Sequence, residues 1–434
     1  MSIDDDTVKD DTRGRIMLLT TVRSYRLEAF RAAAEHLGIE VVTGVDLPDE
    51  LAGQWPDALP LTFADVDEST HRIVNHAAAH PLSAVMAVDD SGSLVAASAS
   101  AVLMLPHNDP AAAEAARDKW VMRSRLRDGG VAVPWFRLFS TADDPAEVAA
   151  LAPYPCVIKP VNLNGSRGVI RADSPEELMS AIDRLKRLIG RESAEPRPYL
   201  VESFLPGFEV ALEGMLDNGE LTVLALFDKP DPLDGPFFEE TIYITPSRLP
   251  PATQAAIETT TAAAARALGL RVGPIHAEMR VNDQGVWILE VAGRSIGGLC
   301  SQVLRFGVND TLEELIVRQA AGLPLGDTQR RDRAAGVMMI PIPQAGLFRG
   351  VTGVEEALAL PLVDDIEITS RPNYPIVPLP EGDSYLGFIF ARGDTPERVE
   401  AALREAHERL SFTIDPLLPI LPMGLAVESI NLVE

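Results

Sequence analysis

The sequence has little cysteine, fewer basic than acidic residues, and no long apolar run. Its 434 residues include only Cys156 and Cys300, which are too few for a disulfide framework and have no metal-ligand spacing, so we expect buried thiols in a reducing cytoplasm. Lys and Arg number 38 against 64 Asp and Glu, and the formal net charge of -26 repels a nucleic-acid backbone. The apolar runs are too short to cross a bilayer. The composition therefore predicts a cytoplasmic protein that binds neither nucleic acid nor a membrane.

The start of the chain lacks the features of a targeting segment and of a dinucleotide site. Residues 1–13 are polar and acidic, which predicts a disordered tail. Alternating strand and helix signals follow, and the turn after the first strand, residues 20–24, contains no glycine. We therefore expect an α/β domain with a parallel sheet, Rossmann-like in shape but without a dinucleotide. Its predicted elements are residues 15–20, 25–37, 39–43, 69–80 and 82–88.

A single helix is predicted after this domain. Asp109 before Pro110 is a good helix start, and Gly129-Gly130 is a good stop. Three basic residues of this helix follow i, i+4 spacing: Lys119, Arg123 and Arg127. Without further context, a solvated helix face is the simplest interpretation of such a stripe.

The strongest chemical signal is a predicted β-hairpin that carries acidic side chains. Residues 275–281 alternate between apolar and polar, which places His276 and Glu278 on one face of the strand. A three-residue loop that ends with a left-handed Gly285 leads into the returning strand, residues 286–292. Because of this alternation, the polar face of the hairpin must contact either a ligand or solvent.

The predicted turn pairs Asn282 with Val286, and counting back from it sets Glu278 directly opposite Glu290. Facing carboxylates with Cβ atoms roughly 5 Å apart repel each other unless a cation lies between them. Magnesium binds a few carboxylate oxygens together with substrate phosphates, so the pair predicts a nucleotide-bound Mg²⁺ (or Mn²⁺). The alternative is a solvated hairpin whose register slips by one residue and separates the two carboxylates.

Two other segments have the composition of a nucleotide site. Lys159 stands near the end of an apolar strand and precedes the loop 164–168, whose glycines let backbone amides approach phosphate oxygens. The strand 199–205 breaks into a Pro-Gly turn and is flanked by Glu202 and Glu209, an arrangement that could hold a purine. Because Gly-Lys-Ser/Thr is missing, the loop is no Walker A motif, and an ordinary turn after a strand-end lysine is the alternative.

In order and approximate spacing, these segments resemble the ATP-grasp superfamily from about Asp109 to Gly298. Over nearly its whole length the chain is similar to the L-amino-acid ligase and carnosine-synthase group. The resemblance implies an α/β and α+β multidomain architecture, the ATP-grasp fold, with a Rossmann-like domain before it and a small α+β appendage that holds few catalytic groups. The implied domains are residues 14–108 (pre-ATP-grasp), 109–204 (linker helix and lid), 205–330 (subdomain with the catalytic hairpin) and 331–434 (appended domain).

The resemblance also assigns roles to individual residues. The residues implied to bind ATP are Lys119, Lys159, Gly165, Ser166, Gly168, Glu202, Ser203, Phe204, Leu205 and Glu209. Glu278 and Glu290 are implied to bind the metal. The residues expected to contact the substrates are Glu240, Tyr243, His276, Arg294, Gly297 and Gly298, and among all these the catalytic ones are Arg294, Lys159 and Glu240.

Two departures from the family pattern concern the metal and the substrate. The usual Glu-x-Asn of the metal site is Glu290-Val291-Ala292 here, so one metal oxygen is missing. In the derived pairing Ala292 faces His276, and we hypothesise that His276 or a water fills the vacated place. Tyr243 stands where these ligases often carry a substrate-contacting histidine.

The implied activity is ATP-dependent ligation of a small carboxylate to a small amine, such as two amino acids, through an acyl phosphate. Competing functions are loading of an acid onto a carrier-protein thiol, carboxylation of a carrier, and nucleotide binding by a regulator without turnover. Dimers are common among such ligases, so a homodimer is a further expectation.

Overall fold

The computed structural model describes residues 14–22, 24–190 and 195–416. The tail predicted over residues 1–13 lies outside this part of the chain. Within the described ranges, no helix is both long enough and apolar enough to cross a membrane. The predicted combination of α/β and α+β architecture is confirmed, with a parallel sheet at the start of the chain and antiparallel sheets after it.

The N-terminal domain is a four-stranded parallel sheet with the strand order β3-β2-β1-β4. Residues 16–19 of its first strand are all buried, as expected for a parallel strand covered by helices on both faces. The sheet's carboxyl edge, where Asp90 follows the last strand, faces the rest of the molecule. The elements are β1 (Arg15–Thr21), α1 (Leu27–Leu37), β2 (Glu40–Asp46), β3 (Ala58–Leu61), α2 (Val66–Ala79), β4 (Ala84–Ala87) and α3 (Ser93–Val102).

Two helices, rather than the one predicted, follow this domain: α4 (Pro110–Arg117) and α5 (Lys119–Asp128). The prediction was wrong because Asp118 leaves the helical conformation (φ −97°, ψ 113°), and its carboxylate accepts hydrogen bonds from the amides of Trp120 and Val121. Asp118 is therefore the N-cap of α5, a position that aspartate favours over the helix interior. The break aims the first residue of α5, Lys119, at the strands that follow.

We expect Asp118→Ala to lower the free energy of unfolding by about 1 kcal/mol, because two amides at the start of α5 lose their acceptor. Urea unfolding followed by circular dichroism measures the change. Asp118→Asn is the matched control, since asparagine caps helices as well as aspartate does. Equal destabilisation by both variants would show that the carboxylate's charge, and not the cap, matters.

The lid is a four-stranded antiparallel sheet with the order β5-β8-β6-β7 and a hydrophobic core of its own. Its helices pack on one face of the sheet, and Cys156 is buried and free in this core, as predicted. The elements are β5 (Phe136–Ser140), α6 (Pro145–Leu151), β6 (Cys156–Pro160), β7 (Ile170–Ala172), α7 (Pro175–Ile189) and β8 (Pro198–Ser203).

The largest sheet has eight antiparallel strands in the order β13-β12-β9-β10-β11-β16-β20-β18. Its first part consists of β9 (Phe208–Asp217), β10 (Glu220–Lys229), β11 (Ile242–Thr245), α8 (Pro251–Leu268), β12 (Gly273–Asn282) and β13 (Gly285–Ala292). The apolar residues of α4 and α5 pack with α8 against this sheet. The two helices therefore share a core with the large sheet and not with the lid.

The appended region adds three strands to the same sheet, because β16 pairs with β11 across the predicted boundary at residue 330. The domain boundaries themselves stay predictions. The remaining elements are β14 (Arg305–Phe306), β15 (Asp310–Thr311), α9 (Leu312–Ala320), β16 (Ala334–Ile340), β17 (Gly346–Thr352), α10 (Val354–Leu358), β18 (Val363–Ile368), β19 (Pro375–Ile376), β20 (Gly387–Gly393), α11 (Pro396–Arg409) and β21 (Ser411–Asp415).

The hairpin of β12 and β13 has the predicted pair of glutamates but not the predicted turn. Glu278 lies opposite Glu290, yet Asn282 pairs with Gly285 across a two-residue turn and not with Val286. That turn alone would place Glu278 opposite Leu289, and a bulge at Leu289 restores the pairing by adding one residue to β13. The predicted pair is therefore correct although the predicted turn is wrong, because the shorter turn and the bulge offset each other.

Candidate active site

A cavity of about 810 Å³ lies where the N-terminal domain, the lid, the large sheet and the appended region meet. This volume is at the upper end of the range for small-molecule sites, roughly 300–1,000 Å³. Every residue predicted to contact nucleotide, metal or substrate lines the cavity except Gly168. The amide of Gly168 donates to the carbonyl of Pro380, and a Cβ there would meet Leu185 at 3.0 Å, so this glycine fixes the base of the loop.

A buried cluster of cations lies around Glu202 at one end of the cavity. The Arg123 guanidinium contacts both carboxylate oxygens, at 2.8 and 3.2 Å, and Lys159 contacts one of them. Burial alone would raise the pKa of Glu202, but Arg123 and Lys159 outweigh it and lower the pKa to about 2. The Glu202 carboxylate is thus already paired with protein cations. A purine base bound here would therefore contact the residues that follow Glu202 and not its carboxylate.

The basic stripe on α5 is not the solvated face that its spacing suggested. Lys119 and Arg123 are buried, and only Arg127 is exposed. Arg123 also donates to the carbonyl of Leu289, the bulge residue of β13, at 2.9 Å. The bulge is therefore held by the same cation that holds Glu202, and this contact links the lid to the catalytic hairpin.

Lys119 connects the glycine loop with the glutamate pair. Its ammonium donates to the carbonyl of Leu163 at 2.8 Å and lies 3.4 Å from Glu290. In the loop itself, Gly165 and Ser166 have φ values of 62° and 55°, so successive residues adopt the left-handed conformation. Backbone amides in such turns form concave sites for anions.

Lys229 is a central residue that the sequence reasoning did not single out. Its ammonium lies 2.9 Å from Glu209, 2.6 Å from Glu240 and 3.5 Å from Glu278. Burial opposes the charge, but the three carboxylates raise the pKa of Lys229 well above its usual value. The only signal in the sequence was the charged pair Asp228-Lys229 at the end of an otherwise apolar strand.

Among the described residues, these three glutamates form a group with the geometry of a metal site. Each offers one carboxylate oxygen, and the three oxygens lie within 4.8 Å of one another. Since Lys229 contacts all three, a cation already occupies their centre. The second oxygen of Glu209 accepts from Arg280 at 3.1 Å, so this residue, predicted to bind ATP, is held between two protein cations.

Glu240 and Glu278 are neighbouring acids with opposite behaviour. The Tyr243 hydroxyl donates to Glu240 at 2.8 Å and lies 3.4 Å from Glu278. Burial and the charge of Glu278 raise the pKa of Glu240 to about 7, against the effect of Lys229. Lys229 and His276 overcome burial and lower the pKa of Glu278. Such a split assigns different roles to the two acids: Glu278 stays ionised, and Glu240 can exchange a proton near neutral pH.

His276 is anchored by Glu213, a fully buried residue that the sequence reasoning missed. The His276 Nδ1 lies 3.0 Å from the Glu213 carboxylate, which also accepts from the amide of Ile296 at 3.0 Å. His276 pairs with Ala292, as derived, and its Nε2 faces Glu278 at 3.4 Å. Glu213 could have been found from the alternation of β9, because it lies on the same face of that strand as Glu209 and opposite His276.

Glu278 and Glu290 face each other across the hairpin and both line the cavity, so they are the residues that would hold the predicted metal ion. Ala292 offers no oxygen, so the protein supplies two carboxylates and the nucleotide must supply further oxygens. His276 points its free nitrogen toward Glu278 and not away from it. This orientation agrees with the hypothesis that His276 takes the metal-ligand position that Ala292 leaves empty.

Arg294 is held by the N-terminal domain. Its Nε donates to Asp90 at 2.8 Å, and the same carboxylate oxygen accepts from Asn164 of the glycine loop at 3.1 Å. Asp90 thus fixes both the arginine and the loop over the cavity. The sequence marked Asp90 only as the residue that follows a predicted strand.

The appended region forms one wall of the cavity, although few catalytic groups were expected in it. Arg167 of the glycine loop donates to the carbonyl of Glu381 at 3.1 Å, and Arg184 of α7 binds the Glu381 carboxylate at 2.6 and 2.8 Å. The lid is therefore closed against the appended region. The residues of this region that line the cavity are Met339, Thr369, Ser370, Arg371, Tyr374, Pro375, Ile376, Asp383, Ser384, Tyr385 and Phe388.

Comparison with known proteins agrees with this geometry. A family model of the ATP-grasp domain matches residues 152–303, and a model of the L-amino acid ligase C-terminal domain 2 matches residues 338–415. The chain therefore contains an ATP-grasp domain and, after it, an L-amino acid ligase C-terminal domain. The residues matched by the first model include β6, β7, α7 and β8 of the lid and the whole hairpin of β12 and β13. The residues matched by the second include those of the appended region that line the cavity.

Similar proteins include ligases of known type. The structure resembles that of L-amino acid ligase from Bacillus licheniformis, with a TM-score of 0.77 and 27% identity over 93% of this chain and 99% of that one. Alanine–anticapsin ligase from Bacillus subtilis is 26% identical over 70% of each chain. An uncharacterized protein of Sinorhizobium fredii, y4rH, is 28% identical over 72% of this chain, which spans 64% of that protein.

More distant structures show the fold alone. N5-carboxyaminoimidazole ribonucleotide synthetase from Thermotoga maritima superposes with a TM-score of 0.66 at 18% identity. A biotin carboxylase domain from Hydrogenobacter thermophilus, solved with MgADP, superposes with a TM-score of 0.64 at 18% identity. The shared architecture is therefore wider than any one reaction, and the activity must be argued from the site.

Proposed function

We propose that the protein is an ATP-dependent carboxylate–amine ligase that joins two amino acids, or an amino acid and a related small acid, through an acyl phosphate. The observation that supports this most is that one cavity is lined by two lysines expected to contact ATP phosphates, by a facing pair of glutamates and by an arginine. These residues are Lys119, Lys159, Glu278, Glu290 and Arg294. The cations suit transfer of a phosphoryl group, and Arg294 suits a reaction that develops negative charge on a carbonyl oxygen.

Different residues of the cavity bind ATP and the substrate carboxylate. Lys119 and Lys159 neutralise phosphate oxygens, and the glycine loop covers them. A magnesium ion held by Glu278 and Glu290 would supply further charge neutralisation when bound. The acceptor carboxylate lies near Arg294, where Asp90 keeps the guanidinium in place.

The amine then displaces phosphate from the acyl phosphate. Arg294 and the backbone amides of Gly297 and Gly298 stabilise the tetrahedral oxyanion. The closed lid excludes water, which would otherwise hydrolyse the acyl phosphate. Glu240, buried beside Lys229 and with a raised pKa, either holds a substrate ammonium group or accepts its proton.

The function is tested by measuring ADP release with amino acids singly and in pairs, followed by mass detection of the product. Ligation requires ADP release that depends on both an acid and an amine, and a product lighter by one water than the sum of the two. ADP release only with a carrier protein, or with bicarbonate, would favour carrier loading or carboxylation instead. The absence of ADP with every acid and amine would revive the inactive regulator.

Glu240→Gln separates the two roles offered for this acid. If Glu240 holds the ammonium group, we expect KM for the amino acid to rise by roughly 10- to 100-fold, the value of one charged hydrogen bond, with kcat little changed. If it accepts the proton, kcat falls and KM stays the same. The affinity for ATP, measured by calorimetry, serves as the control and is expected to stay within about twofold. Unchanged kcat and KM would remove Glu240 from the mechanism.

A further inference from the structure

The cavity has an apolar wall beside Glu240, and the proposed mechanism does not use this wall. Met339 of β16 and Phe388 of β20 are cross-strand partners, so their side chains share one face of the large sheet. Both are almost fully buried in the protein and both line the cavity. The amide of Met339 donates to the carbonyl of Thr241 at 2.7 Å, which ties this face to the residue next to Glu240.

Aromatic and sulfur-bearing side chains extend the wall. The ring of Phe388 lies 6.5 Å from that of Tyr25 and 6.1 Å from that of Tyr385. Cys300, buried and free, also lines the cavity here. The wall therefore combines the N-terminal domain, the ATP-grasp domain and the appended domain.

The wall lies next to the segment that stabilises the oxyanion. A Cβ at Gly298 would meet the Phe388 ring at 3.1 Å, and φ there is 61°, so glycine keeps the chain close to that ring. If Glu240 holds the ammonium group of the activated amino acid, the first of the two roles proposed for this acid, a substrate whose carboxylate faces Arg294 must direct its side chain to a neighbouring surface. Met339, Phe388 and Cys300 provide that surface.

The chemistry of this wall selects against charge. A charged side chain against Met339, Phe388 and Cys300 would lose its water and gain no partner, whereas apolar groups gain contacts with a flexible thioether and an aromatic ring. Arg371 and Asp383 line the cavity too, on the segment after β18, and offer charges of both signs at a different part of the wall. A small side chain would leave the apolar wall uncovered.

We propose that the activated substrate is an α-amino acid with a large apolar side chain, such as leucine, methionine or phenylalanine, received by the wall of Tyr25, Cys300, Met339, Tyr385 and Phe388. This inference rests on the proposed ligase function and names its first substrate class. The product then carries the large apolar residue at its amino end.

The test measures kcat/KM of ADP release for leucine, methionine, phenylalanine, alanine, aspartate and lysine as the activated acid, with the amine partner held constant and the amide checked by mass. We expect the three large apolar amino acids to exceed alanine by at least about tenfold, since each methylene in an apolar pocket is worth roughly 10- to 200-fold. Aspartate and lysine are expected to react more slowly still.

Met339→Ala tests the location of the pocket. We expect the ratio of kcat/KM for phenylalanine to that for leucine to rise several-fold, because the truncation makes room for the larger ring. A ratio is independent of how much of the variant is folded. The matched control is Val337→Ala, a buried truncation two residues earlier on β16 that lies outside the cavity lining, and it is expected to leave the ratio unchanged.

The outcomes separate this inference from the proposed function. ADP release that is equal or faster with alanine, aspartate or lysine overturns the apolar substrate and leaves the ligase intact. A preference for large apolar substrates that Met339→Ala does not alter overturns the assignment of the wall. The absence of ADP release with every pair overturns both proposals.

Discussion

Replacing Lys229 with methionine is expected to lower the free energy of unfolding by about 3–5 kcal/mol and to abolish activity. The side chain of Lys229 is 3% exposed, and its ammonium group forms ion pairs with Glu209, Glu240 and Glu278. Methionine fills a similar volume, but it leaves the buried carboxylates without this cation, and removing one partner of a buried ion pair has this cost. Denaturant unfolding and ADP release measure the two effects.

The pH dependence of this loss follows from the sign of the pKa shift. The pKa of Lys229 is raised in the folded protein, so its stabilisation is fully present at neutral pH and is lost only as pH rises through that elevated value. In the methionine variant the crowded carboxylates take up protons at low pH, so the difference from the wild type shrinks as pH falls. Arg127→Met, at an exposed site, is the control, expected to change stability by less than about 0.5 kcal/mol. A Lys229→Met protein as stable as that control at pH 7 would contradict the buried-pair argument.

Replacing Arg294 with glutamine is expected to reduce kcat by about 10²- to 10³-fold while ATP affinity stays close to that of the wild type. This magnitude is typical of removing one group that stabilises an oxyanion. Arg294 contacts Asp90 and the backbone of Ser295, whereas Lys119 contacts Glu290 and Lys159 contacts Glu202. Steady-state ADP release gives kcat, and calorimetry with a non-hydrolysable ATP analogue gives the affinity.

Two further variants sharpen this prediction. Asp90→Asn keeps the charge of Arg294 but weakens the contact that orients it, so an intermediate loss of kcat is expected. Arg349→Gln removes an exposed arginine of the appended domain that pairs with Asp415, and it should leave kcat unchanged. Loss of ATP affinity in Arg294→Gln as large as the loss of kcat would place Arg294 in the nucleotide site.

Local pattern was enough to find the hairpin and its facing glutamates, whereas the roles of the cations before it came from the family resemblance. Side chains alternate along a strand with a period of two, so placing Glu278 on the polar face required no knowledge of the fold. The turn was one residue shorter than expected, and the bulge at Leu289 compensated. A bulge depends on what it packs against, here the guanidinium of Arg123, and a strand's own sequence does not specify that partner.

Helix boundaries show the same division. The pattern of residues 109–129 correctly predicted helical structure, but it predicted one helix where the structure has two. Asp118 breaks the run because its carboxylate caps α5, and the break turns Lys119 and Arg123 inward. A basic stripe looks the same in the sequence whether it faces water or a buried glutamate.

By itself, the sequence determined the class of the protein: an ATP-grasp architecture, the facing pair Glu278 and Glu290, and the ordered lysines and arginine. These features are local in the chain or recur at set spacings. The tertiary structure alone decided that Lys229, Glu213 and Asp90 support the site, and that the appended domain contributes to its apolar wall. Each of these contacts joins segments that are distant in sequence, and burial gives a charge its partner only after the chain has folded.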